Sequence, residues 1–172
     1  MQATESQMAP GFIDVHAHVV MPEIYEQTKE HSIFTRPPEG VALTDAMRAQ
    51  AAQRADSVVA AMADVDARIG AMDAMGVGVQ ILSVSLVHQC TYYAPPNESL
   101  AMEQRANDRL ASLVARAPSR FRALGGVPLH APDVAVSELR RGMKELGFVG
   151  VGVSTKAGEM EIGDVRLRPF WE

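Results

Sequence analysis

At 172 residues the chain is long enough for one domain with a real core, and 47% hydrophobic and 22% charged residues are ordinary for a soluble globular protein. Sixteen basic against 21 acidic residues leave a net charge of −5, with no block of Lys and Arg, so nucleic acid and anionic membranes are not expected as partners. Cys90 is the single cysteine, which excludes an intrachain disulfide and a Cys-cluster metal site. The polar start, Met1–Pro10, lacks the basic and apolar segments of a signal peptide, and no apolar run approaches the ~20 residues of a membrane span. A cytoplasmic location is the expectation.

Residues 1–10 read as a tail and 11–172 as the domain. Phe12–Val20 is the first expected strand, closed by Met21-Pro22. Residues 21–63 interrupt the pattern and read as an insertion: a loop over His31–Gly40 with Pro37-Pro38, then an Ala-, Gln- and Arg-rich helix over Thr44–Met62. Asp64 is expected as the N-cap of a helix carrying Ala67, Ile69, Met72 and Met75, with Gly76 as its stop. Val79–Val84 is the second strand. Glu98–Ala117 sets Ala106, Leu110, Leu113, Val114 and Ala117 on one helical face before Pro118. Phe121–Leu129 is the third strand. Pro132 opens a helix with Ala135, Leu139, Met143 and Leu146 inward and Gly147 at its end. Phe148–Ser154 is the fourth strand, and Arg168–Glu172 begins one more helix.

Short apolar strands without polar alternation, joined by helices, predict a parallel sheet with right-handed crossovers. Periodicity does not separate a doubly wound layer from an arc of a barrel. No Gly-x-Gly-x-x-Gly follows the first strand, which weakens a dinucleotide fold.

Ile13-Asp14-Val15-His16-Ala17-His18 carries the chemistry. Residues two apart on a strand point the same way, so Asp14, His16 and His18 are expected on one face. Two imidazoles stacked there can grip one cation at the strand's C-terminal end, where barrels place their chemistry. Asp14 is a candidate acceptor that orients an imidazole from behind the metal, or a plain buried hydrogen-bond partner. His88 is the candidate for the substrate pocket, and His130 follows the next strand in the same way; a surface-loop histidine is the ordinary alternative for both. Cys90 has no evident base and reads as a packing residue, while Tyr92 and Tyr93 either wall a pocket or cover a strand end.

Several stretches together resemble the aminocarboxymuconate-semialdehyde decarboxylase-like branch of the amidohydrolase superfamily. They are Ile13–His18; Arg68-Ile69, Met72-Asp73 and Gly76-Val77 leading into Gln80-Ile81-Leu82-Ser83; Asn107-Asp108 with Leu110-Ala111; Pro118 with Arg120-Phe121; Leu124-Gly125 with Val127-Pro128-Leu129; and Glu138-Leu139 through Lys144–Phe148 to Gly150-Val151. The resemblance covers about residues 12–20 and 64–155. It implies an α/β fold, a (β/α)8 barrel of the triosephosphate-isomerase type. It also implies one divalent metal, Zn2+ with Mn2+ as the alternative, held by the His-x-His of strand one, a His near strand five and an Asp near strand eight. Only His16 and His18 carry over to this chain. Such a barrel takes ~250 residues, so the chain is expected to be a fragment supplying about the first four βα units.

The resemblance favours a metal-dependent decarboxylase (a carbon–carbon lyase) of a small unsaturated or aromatic carboxylic acid. The alternatives are a metal-dependent hydrolase with the same site and, from another class, a non-catalytic half-barrel. A homo-oligomer is expected, since family members often form homodimers and an open interior face favours self-association. One departure concerns the substrate: the Arg that holds its carboxylate in this branch has no counterpart in Ser57–Ala63, and Arg54 would need a shifted alignment.

Overall fold

The computed structural model describes residues 11–31, 44–85 and 90–172. Four parallel strands lie side by side in chain order: β1 (Phe12–Val19), β2 (Val77–Val84), β3 (Phe121–Gly125) and β4 (Gly150–Val151). Helices α1 (Pro22–Thr28), α2 (Asp45–Ala63) and α3 (Val65–Met75) lie between β1 and β2, α4 (Pro96–Arg116) between β2 and β3, and α5 (Pro132–Lys144) between β3 and β4. A doubly wound sheet reverses its strand order at a switch point. No reversal occurs here. One core cluster takes Ile24 of α1, Met72 of α3 and Leu110 of α4 against Ala17, Leu82 and Phe121 on a single face of the sheet. Sequential order with helices on one face is an arc of a barrel, which decides between the two architectures left open by periodicity.

The helix ends follow their caps. Asp64 accepts from the backbone N–H groups of Asp66 and Ala67 (both 3.0 Å), and Gly76 closes α3 at φ +70°, where a side chain would be strained. Thr44 accepts from Met47 N–H (3.2 Å) at the start of α2. Residues 21–28, grouped by sequence with the insertion, join the core: Met21, Ile24 and Thr28 are buried. Most of the expected loop at His31–Gly40 lies outside the described residues.

Two strands are shorter than expected. Asn107 on α4 takes both backbone groups of Gly126, donating through Nδ2 to its carbonyl (2.9 Å) and accepting from its N–H (2.8 Å). That withdraws Gly126 from the ladder, so β3 stops at Gly125 and β4 pairs only through Gly150 and Val151. The face of α5 is also turned from its expected position. Ala135, Glu138 and Gly142 are buried, whereas Met143 is 45% exposed. Phe148 packs against Gly142, where a Cβ would sit 3.0 Å from the ring, and Glu138 bonds Asn107 (2.6 Å) and Arg141 (2.9 and 2.8 Å). Met75 is likewise exposed at the end of α3.

A small antiparallel hairpin, β5 (Lys156–Ala157) and β6 (Met160–Glu161), follows β4 and turns at Gly158. With Leu167 in the turn before α6 (Arg168–Trp171) and Phe170 within it, the hairpin forms a second core cluster over Tyr92, Val127 and Leu129. No helix among the described residues is long and apolar enough to cross a membrane.

Candidate functional site

His16 and His18 lie near the C-terminal end of β1, and the structure brings them together. Their Nε2 atoms are 3.0 Å apart, with ring centroids at 4.7 Å and planes at 80°. Two ligands each ~2.1 Å from one divalent ion are separated by roughly 3.0–3.5 Å, so the two nitrogens are spaced to share a cation. The second observation concerns the far side of His18, where Nδ1 is 2.9 Å from Ser83 Oγ. A ligand at Nε2 requires the ring proton on Nδ1, and Ser83 is placed to accept it. His16 is exposed and His18 half-buried. Among the described residues no group of three or more His, Cys, Asp or Glu side chains is placed to hold a metal ion. The pair fits two coordination positions of one ion.

Asp14 does not share the face of the imidazoles. It pairs with Gln80, and Ala17 with Leu82, so three steps along β1 oppose two along β2. This irregularity has the count of a β-bulge, which breaks strict alternation. Ala17 and Leu82 belong to the core beneath the helices, and Gln80 shares their side of β2. His18 pairs with Ser83 on the other side. Asp14 is thereby turned toward the helix layer. Its Oδ1 accepts from the backbone N–H of His16 (3.0 Å), and its Oδ2 accepts from Gln80 Nε2 (2.9 Å). The imidazole partner sought in Asp14 is Ser83.

Behind β1, Arg68 of α3 closes the arrangement. It donates through Nη2 to the carbonyls of His18 (2.7 Å) and Met62 (3.3 Å), and through Nη1 to Gln80 Oε1 (3.2 Å). Burial pulls the guanidinium below its ordinary pKa, and the charge of Asp14 acts the other way.

The remaining candidates are not gathered here. His88 lies outside the described residues. His130 bonds the carbonyl of Ala94 through Nε2 (3.0 Å), and a Cβ added at Gly158 in the hairpin turn would lie 3.6 Å from the His130 Cβ; its Nδ1 is buried without a partner. Tyr92 is buried in the second core, and Cys90 packs against it with its thiol pushed up by burial, the state of a packing residue and not of a nucleophile. Tyr93 stacks on His31 with centroids at 3.4 Å and donates to the carbonyl of Gln27 (3.0 Å).

A buried polar set beneath Gly126 carries no signal in the sequence. Glu103 of α4 accepts from Thr91 Oγ1 (2.6 Å), which accepts from Ser99 Oγ (2.8 Å). Burial pushes the Glu103 carboxyl up to about 7, opposed by the Thr91 hydrogen bond and aided by the charge of Glu138. The signal for Gln80 was present: a polar residue inside Val-Gln-Ile-Leu needs a partner. Ser83 stands in the stretch that carries the resemblance, but its place beside His18 is visible only once β1 and β2 are paired.

A parallel arc with helices outside and paired imidazoles at the end of its first strand defines a (β/α)-barrel protein with a candidate metal centre. The chain belongs to the amidohydrolase family, whose model matches residues 13–172. It is 33% identical over 109 residues to the 2-amino-3-carboxymuconate-6-semialdehyde decarboxylase of Dictyostelium discoideum, covering 63% of this chain and 30% of that protein. It is 39% identical over 117 residues to a gamma-resorcylate decarboxylase of Rhizobium radiobacter, covering 62% and 34%. A Polaromonas dihydroxybenzoic acid decarboxylase, solved with manganese and 2-nitroresorcinol, superposes with a TM-score of 0.72 at 27% identity, over 94% of this chain and 45% of that one. A 2,6-dihydroxybenzoate decarboxylase solved with 2,6-dihydroxybenzoate gives 0.67 at 28%, over 96% and 46%. These neighbours are barrels of the triosephosphate-isomerase type. The chain spans about a third of the length of the curated relatives it matches.

Proposed function

We propose that this chain carries the histidine pair of a metal-dependent decarboxylase acting on a small aromatic or unsaturated carboxylic acid. The observation that carries the reading is the 3.0 Å convergence of His16 and His18 Nε2, with Ser83 holding the far nitrogen of His18. The relatives support the choice of reaction, being decarboxylases of carboxymuconate semialdehyde and of gamma-resorcylate. Neutral imidazoles accept either Zn2+ or Mn2+; manganese in the Polaromonas structure makes it the first ion to try.

His16 and His18 would hold the ion from the β1 side. A bound divalent cation would supply Lewis-acid polarisation and charge neutralisation for an anionic substrate oxygen. Ser83, 2.9 Å from Nδ1, would keep the His18 ring in the ligating tautomer, and the hydrogen bond that His16 N–H donates to Asp14 would fix the backbone entering His16. In the reaction the bond from carbon to the carboxylate breaks, its electron pair stays on the substrate carbon, and a proton takes the vacated place. The products are carbon dioxide and the protonated residue. The same reading expects a cytoplasmic homo-oligomer without a membrane partner.

The test is metal analysis of the purified protein with His16→Ala and His18→Ala beside it, followed by carbon dioxide release from 2,6-dihydroxybenzoate and from carboxymuconate-type acids. The wild type should retain manganese or zinc that both variants lose. Equal metal content in all three overturns the assignment, and ester or amide cleavage without carbon dioxide would make the protein a hydrolase.

A further inference from the structure

We infer that Arg68 is a positioning residue for the histidine pair, setting the backbone of both rings from the opposite side of the sheet; this rests on the metal-binding reading above. Two branches leave one guanidinium. Nη2 reaches the carbonyl of His18 directly, at 2.7 Å. Nη1 reaches Gln80 (3.2 Å), whose amide donates to Asp14 Oδ2 (2.9 Å), and Asp14 Oδ1 accepts from His16 N–H (3.0 Å). Every link is a hydrogen bond between groups on different elements or across the bulge, and the chain ends on the two residues whose rings converge.

The bulge explains why such a device sits there. Between Asp14 and Ala17 the ladder to β2 is irregular, so His16 lies in the segment least fixed by strand pairing. Its N–H is bonded to Asp14, and Asp14 is held by Gln80. The ladder resumes at Ala17 and continues with His18 against Ser83, and Arg68 grips the carbonyl of His18. The same guanidinium also takes the carbonyl of Met62 near the end of α2. Displacement of a ligand's backbone by a fraction of an ångström changes how two imidazoles share an ion, because first-shell geometry is set by its supporting groups.

Arg120 supplies a matched control. It too is a partly buried arginine that donates to two strand carbonyls, of Gly78 (2.9 Å) and Val77 (3.0 Å), and pairs with Asp73 (2.7 Å). Those contacts lie at the start of β2, at the opposite end of the sheet from His18. Its loss weakens the fold without touching the histidine backbone.

The test compares Arg68→Met, Arg68→Lys and Arg120→Met, using zinc ion alone in a calorimetric titration, and the ring 1H–15N spectra of His16 and His18 in the metal-free protein. Arg68→Met should weaken zinc binding at least tenfold and shift both ring signals. Arg68→Lys, which keeps the charge but loses the fork that reaches two acceptors, should fall between it and the wild type. Arg120→Met should lower the melting temperature as Arg68→Met does while leaving affinity and ring signals in place. Unchanged affinity in Arg68→Met, or equal losses in Arg68→Met and Arg120→Met, overturns the proposal. If the wild type itself binds no zinc, the metal reading fails and the metal-free ring spectra decide alone: signals moved by Arg68→Met but not by Arg120→Met support positioning, and unmoved signals overturn it.

Discussion

Glu103 gives the stability of this protein a pH dependence with a defined sign. Its carboxyl is fully enclosed beneath Gly126, and burial raises its pKa from 4.5 to about 7. The raised value means that the folded protein keeps its proton where the unfolded chain releases it. The contribution of Glu103 to stability is therefore largest below about pH 4.5, falls as pH rises toward about 7, and is level above that. A shift of this size corresponds to on the order of 3 kcal/mol across the window. The titratable groups around it are Glu138, Cys90 and Tyr92, and among these the negative charge of Glu138 adds to the rise. Glu103→Gln keeps an acceptor for Thr91 and removes the titration. In urea denaturation at pH 4.5 to 8, the variant should gain on the wild type as pH rises, by up to about 3 kcal/mol. Curves that stay parallel over that range would refute the burial argument, because they would mean that Glu103 takes up no extra proton on folding.

Other consequences are as direct. Ser83→Ala removes the acceptor for His18 Nδ1, and metal affinity should fall 10- to 100-fold, roughly the range for such outer partners, with the melting temperature little changed; cobalt titration followed by absorbance measures it. Gly126→Ala places a Cβ 2.0 Å from Glu103 Oε2, an overpacking that costs about 1–3 kcal/mol; combining it with Glu103→Ala should recover part of that loss in a double-mutant cycle. Leu110→Ala opens a cavity at a fully buried position of α4 and should cost about 2–5 kcal/mol by chemical denaturation.

The order of elements was legible because each strand is a short apolar run and each helix carries its own stop: Asp64 and Gly76 bracket α3 as their chemistry requires. What sequence could not give was the length of β3 and β4. Their apolar runs continue to Leu129 and Ser154, but apolar residues mark burial and not pairing. Val127 and Leu129 are indeed buried, in the second cluster, with Gly126 already withdrawn from the ladder by an asparagine nineteen residues earlier. The same limit turned α5. Periodicity chose Met143 over Glu138, since a buried carboxylate is expected only where a partner exists. The partners, Asn107 and Arg141, are visible only once α4 and α5 are side by side.

At the site the limit is sharper, because a period-two rule fails wherever one residue is inserted into a strand. Applied to Asp14, His16 and His18 it groups all three, and the bulge separates the first from the other two. The pair survives, since the irregularity falls before Ala17 and alternation resumes from there to Val19. The separation also gives the carboxylate a different task. On the imidazole face, Asp14 would compete for the ion or for a ring proton. Turned toward α3, it joins Arg68 and Gln80 in fixing the backbone that carries the rings, while Ser83 Oγ lies 2.9 Å from His18 Nδ1. A neutral hydroxyl in that place adds no charge beside the rings. It orients His18 without adding the anionic partner that would raise the basicity of the ring.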